Sequence, residues 1–175
     1  MASLIFLKAL TKWTNSRIAP KHGPDYQCTT ENLCERVSRG GVLILLINAL
    51  HGTPIPVWNE EPHSFEERYA NVNLAFAMLQ SAETPIQPQL IDDSAAKKIA
   101  SGEEPAITEL IWDIAVNFQV KQILFDDEEG EKALQCWCRK KLGLPVNDFD
   151  VSWRDGRLYC SLFAKHRPNF LSLIA

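Results

Sequence analysis

Phe6, Leu7, Leu10, Trp13 and Ile18 recur mostly three to five residues apart. That spacing lays them along one face and predicts an amphipathic helix over residues 4–18. Pro20, Gly23 and Pro24 read as its end. A short segment around 33–37 follows, then Gly40-Gly41 and the run Val42-Leu43-Ile44-Leu45-Leu46-Ile47. A buried strand would show the same run. Continuation through Asn48-Ala49-Leu50 and the lack of alternation favour a helix instead. Its apolar character on most sides marks it as the central helix of a small bundle.

Pro54, Pro56 and Pro62 place a loop next. Ser64 is expected to cap the following helix, with Glu67 three residues on completing a capping box. Phe65, Tyr69, Val72, Phe76 and Leu79 hold its apolar face, and Pro85 and Pro88 end it. Asp93 or Ser94 caps a short helix that Gly102 stops. Pro105 suits a first helical position. Ile107, Leu110, Ile111, Ile114 and Phe118 then give the clearest helical period in the chain. Residues 121–127 read as a linker. A helix over 128–142 has its acids first and Arg139, Lys140 and Lys141 last, which complements the helix dipole. Gly143 and Pro145 terminate it, and a last helix over 152–166 is closed by Pro168. No strand is predicted anywhere. Trp13, Trp112 and Trp137 sit in amphipathic helices and are assigned to the core, where truncation to Ala costs roughly 3–5 kcal/mol.

Composition narrows the function classes. Of the 175 residues, 46% are hydrophobic, enough for a sizeable core. The net charge of -4 and the lack of a long basic run argue against a nucleic-acid groove. The longest apolar run is too short to cross a bilayer, and no secretory leader opens the chain, so an intracellular protein without membrane insertion is expected. The five cysteines (Cys28, Cys34, Cys136, Cys138, Cys160) form no even disulfide framework. His22, His51, His63 and His166 show no metal-ligand spacing. Cys136 and Cys138 point apart on a helix. Arg39-Gly40-Gly41 lacks the ending of a phosphate-binding loop, and Asp126-Asp127-Glu128-Glu129 lacks the ligand alternation of a calcium loop. Neither an enzyme nor a cofactor is expected.

The chain also repeats itself. Leu10-x-x-Trp13 is echoed by Leu134-x-x-Trp137, and Gly41-Val42-Leu43 with Leu46 by Gly156-Arg157-Leu158 with Leu162. The string Ser152-Trp153-Arg154-Asp155-Gly156-Arg157-Leu158, ending in His166-Arg167-Pro168, resembles the second calponin-homology (CH) domain of spectrins, actinins and filamins. Val146-Asn147-Asp148-Phe149 fits the same family, and Asn71-Val72 and Leu110-Ile111-Trp112 resemble its first CH domain. The resemblance covers nearly the whole chain. It implies an all-α fold with four main helices per domain. One complete CH domain over 1–120 and a linker over 121–130 would be followed by the N-terminal half of a second domain over 131–175.

That resemblance implies a non-catalytic module of the cytoplasmic cytoskeleton that binds F-actin. The family's contacts fall in the first and last helices of the first domain and the first helix of the second. Carried over, they give Lys8, Lys12, Asn15 and Arg17, then Thr108, Glu109, Asp113 and Asn117, then Arg139 and Lys140. Lys8 and Lys12 share a helix face, as an acidic filament requires. Glu109 and Asp113 also lie four apart, and as a shared acidic face they would repel such a filament. They therefore motivate a second reading, an adaptor for a non-actin partner such as a signalling scaffold or a microtubule-associated protein. A half domain would leave Leu134, Trp137, Leu158, Leu162 and Phe163 open. Three explanations stay open: a fragment of a longer chain, packing on the first domain, or self-association by swapping.

Overall fold

The computed structural model describes residues 3–82 and 86–166. The expected helix ends at Pro85 and Pro168 lie outside them. The chain divides into two compact units, Met1–Phe118 and Gln119–Ala175.

The first unit is a helical bundle wrapped around one helix. Its elements are α1 (Leu4–His22), α2 (Leu33–Ser38), α3 (Gly41–His51), α4 (Phe65–Ser81), α5 (Asp93–Ala100) and α6 (Glu104–Ala115). The ambiguous apolar run is α3, and every residue from Gly41 to Asn48 is buried. It packs against α1, α2 and α4. Burial on all sides explains a sequence with no polar face.

Two glycines set how closely the neighbours approach. Gly40 precedes α3 at φ +82°, and a Cβ there would lie 2.4 Å from the Cβ of Asn71 and 2.8 Å from its carbonyl carbon. A side chain at Gly41 would meet the Trp58 ring at 2.3 Å. Asn71 of α4, 2% exposed, fixes the crossing. Its Nδ2 donates to the carbonyls of Arg39 and Asn59, both at 2.8 Å, and its Oδ1 accepts from the Asn59 amide at 3.1 Å.

Helix ends follow local chemistry. Ser64 and Glu67 form the expected capping box. The cap of α5 is Asp92, whose carboxylate accepts from the Ala95 amide at 2.7 Å, rather than Asp93 or Ser94. Asp93 instead accepts from the Tyr69 hydroxyl of α4 and pairs with Lys97. Pro105 occupies the second position of α6, one past the expected one. Pro20 does not stop α1, which runs on to His22 and is capped by Gly23. Proline removes one donor and crowds the preceding turn. Here Lys21 donates to the Asn48 carbonyl at 2.8 Å, tying the last turn of α1 to the end of α3.

The second unit departs further from expectation. Leu124–Phe125 (β1) and Glu128–Glu129 (β2) form a two-residue-per-strand antiparallel hairpin inside the expected linker and helix start. Asp126 and Asp127 take φ +58° and +64°, as a tight hairpin turn demands. Helix α7 (Gly130–Leu142) follows. The expected helix over 152–166 is a short 3-10 turn, Val151–Trp153, and then α8 (Arg157–His166). Cys138, Leu142, Val146, Trp153 and Leu158 form this unit's core, with Trp137 and Leu162 packed against it. Leu158 is therefore buried rather than open, while Phe163 stays 44% exposed.

The structure also corrects the register of the repeat. Gly40 and Gly156, at φ +82° and +78°, each stand immediately before a helix. Matching them pairs Val42 with Leu158 and Leu46 with Leu162, one position away from the match built on Gly41.

Gly40→Ala combines a disfavoured φ with a backbone clash, and is expected to destabilise the first unit by at least about 2 kcal/mol. Urea unfolding monitored by circular dichroism measures it. The Ser64 and His63 amides hold the Glu67 carboxyl below its usual pKa, that of Ser64 acting most. A depressed carboxyl stabilises the fold above its unfolded pKa and loses that contribution as pH falls through the folded one. The melting-temperature gap between the protein and Glu67→Gln is thus expected to be full at neutral pH and to close below the usual glutamate range.

Candidate protein-binding surface

Helix α1 buries Leu10, Thr11, Thr14 and Ile18. Spacings of three and four then put Ile5, Lys8, Ala9 and Lys12 on another stripe, and all four are exposed. Ile5 is 81% exposed, Leu4 beside it 60%. Lys8 and Lys12 make no hydrogen bond or ion pair among the described residues. Phe6, half-buried at the edge of this stripe, meets Trp112 of α6 edge-on, with ring centroids 5.7 Å apart. Trp112 is 52% exposed, which corrects its assignment to the core. Trp13 is half-buried against the core of the first unit and Trp137 against that of the second. The resulting surface in the first unit is an apolar patch flanked by two ammonium groups that make no hydrogen bond or ion pair among the described residues. Glu109 is exposed on α6 one turn before Trp112.

The other residues expected to touch a partner are engaged inside the fold. Asn15 clamps the backbone of Cys28: its Nδ2 donates to the carbonyl and its Oδ1 accepts from the amide, both at 2.8 Å. Arg17 is half-buried. Thr108, 5% exposed, donates to the Glu104 carbonyl at 2.9 Å. Asp113, 8% exposed, accepts from the amide and the side chain of Gln87 at 3.3 and 3.2 Å. Asn117, also buried, donates to the Asp113 carbonyl at 2.8 Å. Thr108, Asp113 and Asn117 are thus structural, and Asn15 is committed to Cys28. The acidic face expected from Glu109 and Asp113 does not form, because only Glu109 reaches solvent.

In the second unit Arg139 and Lys140 are exposed on α7. Lys140 pairs with Asp126 of the hairpin turn and lies 5.4 Å from the Phe125 ring centre. The hydrogen bond that Lys140 donates to Asp126 raises the lysine pKa. Arg139 has no side-chain partner among the described residues. Among those residues no group of three or more His, Cys, Asp or Glu could hold a metal ion, and no helix is long and apolar enough to cross a membrane. Burial raises the thiol pKa of Cys28, Cys34 and Cys138.

Sequence reasoning missed Ile5, Phe6 and Trp112 as surface residues. The signal was present. Trp112 falls between the positions of the 107–110–111–114 face, and Ile5 is in phase with Lys8 and Lys12 rather than with Leu10.

The helical architecture around the largely buried α3 agrees with the all-α calponin-homology fold. The calponin homology (CH) domain family model matches residues 128–175. The particular relationship is to spectrin and alpha-actinin chains, and it spans both units. Over 94% of its length the chain is 29% identical to the erythrocytic spectrin beta chain of Mus musculus. Over the same share it is 26% identical to Alpha-actinin-like protein 1 of Schizosaccharomyces pombe and 27% identical to alpha-actinin-3 of Homo sapiens. It spans 8%, 26% and 17% of their respective lengths.

Burial separates two neighbours on α6. Leu110→Ala is expected to cost roughly 2–5 kcal/mol, and Trp112→Ala well under half of the Leu110 value, since half its surface is already wet. Thermal unfolding of the two variants checks the order.

Proposed function

We propose that this chain is an actin-filament-binding module of the cytoskeleton, acting by surface complementarity without chemistry. The observation that carries the reading is the joined surface of Ile5, Phe6, Lys8, Lys12 and Trp112. It combines the two properties an acidic filament selects: a half-exposed aromatic anchor in an apolar patch, and unpaired cations at its rim. The similarity to spectrin and alpha-actinin chains supports it, as does the position of the patch in two of the segments the family resemblance singles out. Arg139 and Lys140 on α7 extend the basic character into the third segment. On this reading residues 1–120 are the first CH domain, 121–130 the linker and 131–175 part of the second, and the protein works in the cytoplasm. The adaptor reading rested on the acidic pair Glu109 and Asp113, and the burial of Asp113 removes that motive.

Co-sedimentation with actin filaments tests the proposal. The chain is expected to pellet at low salt and to release as salt screens the lysines. Trp112→Ala should weaken binding about tenfold or more, by loss of an aromatic anchor. Lys8→Glu with Lys12→Glu should do the same and flatten the salt dependence. No pelleting at low salt, or unchanged pelleting of both variants, overturns the proposal.

A further inference from the structure

The glycine-matched register of the repeat extends beyond α3 and α8. Toward the N-terminus, Gly40 over Gly156 sets Val37 on Trp153, and both are buried. The 3-10 turn Val151–Trp153 then falls on residues 35–37 of α2. Toward the C-terminus, the same register sets Ile55, Val57 and Trp58 of the connection after α3 on Leu171, Leu173 and Ile174. All six are apolar, and Pro56 and Ser172 fall between them. Leu171, Leu173 and Ile174 lie outside the described residues.

Two clefts obey the same register. One, of about 280 Å³, lies at the start of α3, where Glu35, Arg36, Arg39, Gly41 and Val42 line it together with Trp58. The other, of about 300 Å³, lies at the start of α8, and Val151, Ser152, Asp155, Arg157 and Leu158 line it at the five matching positions. The counterpart of Trp58 there is Ile174. The second cleft is the more apolar. Val151 stands where Glu35 stands, and Leu144 and Pro145 add to its wall. Leu144 and Val151 are exposed. Its two charges, Asp155 and Arg157, pair with each other at 2.6 Å. The walls therefore suit an aliphatic occupant. The floor differs in a matching way. A Cβ at Gly41 would meet the Trp58 ring at 2.3 Å, so an indole sits there only over glycine. Arg157 carries a Cβ at that position, and the second copy supplies the smaller Ile174. Reach is sufficient: the eight residues from His166 to Ile174 span up to about 26 Å, while α8 rises only about 14 Å from Arg157 to His166.

We propose that the cleft at the start of α8 is a docking site for residues 170–174 of the same chain. Ile174 is the anchor, in the place that Trp58 holds in the first unit. Leu173 is turned to solvent, as Val57 is at 98% exposure. The site uses none of Ile5, Phe6, Lys8, Lys12 or Trp112, so it stands whether or not the chain binds actin.

Hydrogen–deuterium exchange of the whole chain, read by mass spectrometry, tests it. The amides of Trp153, Arg154, Gly156 and Cys160 donate the backbone hydrogen bonds that frame the cleft. Ile174→Asp is expected to speed their exchange about tenfold or more, by removing a buried aliphatic contact. Leu173→Asp makes the same kind of change one residue away and should alter exchange less than about twofold. Ile174→Trp should speed exchange severalfold when made alone, and should leave it unchanged in the Arg157→Gly background, where the indole has the floor that Trp58 has. The amides of α3 and α4 should keep the rates of the unaltered chain in every variant, which separates local loss from failure to fold. Equal effects of Ile174→Asp and Leu173→Asp, no effect of either, or Ile174→Trp tolerated as well alone as with Arg157→Gly overturns the proposal. Protection that weakens on dilution marks a second copy as the occupant and overturns it too.

Discussion

Helix α4 can lie against the start of α3 only because Gly40 presents no side chain there, and Trp58 of the preceding connection can sit on α3 because Gly41 presents none. Asn71 converts that contact into a junction, holding the Arg39 carbonyl before α3 and both backbone groups of Asn59 in the preceding connection. Three segments far apart in the chain thus meet on one carboxamide. An unsatisfied buried amide or carbonyl costs about 1–3 kcal/mol, so each member of the junction holds the others in place. The seat of Trp58 on Gly41 follows from it, and the cleft beside Trp58 follows from that seat. The buried face of α3 then collects α1 and α2, and the Phe6–Trp112 contact forms at the meeting of α1 and α6.

Much of this was legible in the chain. The capping box at Ser64 and Glu67, the all-round burial of 42–47 and the strong period of α6 are local signals that tertiary packing reinforces. What escaped was either non-local or carried no clear sequence signal. Pro20 reads as a stop, yet a lysine bond to another helix carries α1 past it. The hairpin at 124–129 has strands too short to alternate and an Asp-Asp turn where Asn-Gly would announce itself. The repeat was visible, but its register depended on which of two adjacent glycines takes a left-handed φ.

The surface was less legible than the fold for a related reason. A family resemblance gives segments, whereas burial selects residues within them. Asn15, Thr108, Asp113 and Asn117 are polar and lie in the segments the resemblance names, and each makes hydrogen bonds to other backbone or side-chain groups of the fold. A polar side chain on an amphipathic helix is exposed only if no nearby backbone group needs it. The apolar members, Ile5 and Trp112, were out of phase with their helix cores, and phase was the more reliable guide.

The wetness of Trp112 carries a consequence for natural variation. Cells remove variants largely through the fraction of time they spend unfolded, so substitutions such as those at Gly40 or Leu110 would show as reduced amounts of protein. A substitution at Trp112 disturbs folding little and would escape that surveillance. On the proposed function, alleles at this position would produce a protein of ordinary abundance and lifetime that occupies its place in the cell while lacking its grip, and a surplus of such copies would compete with normal ones rather than merely be missing.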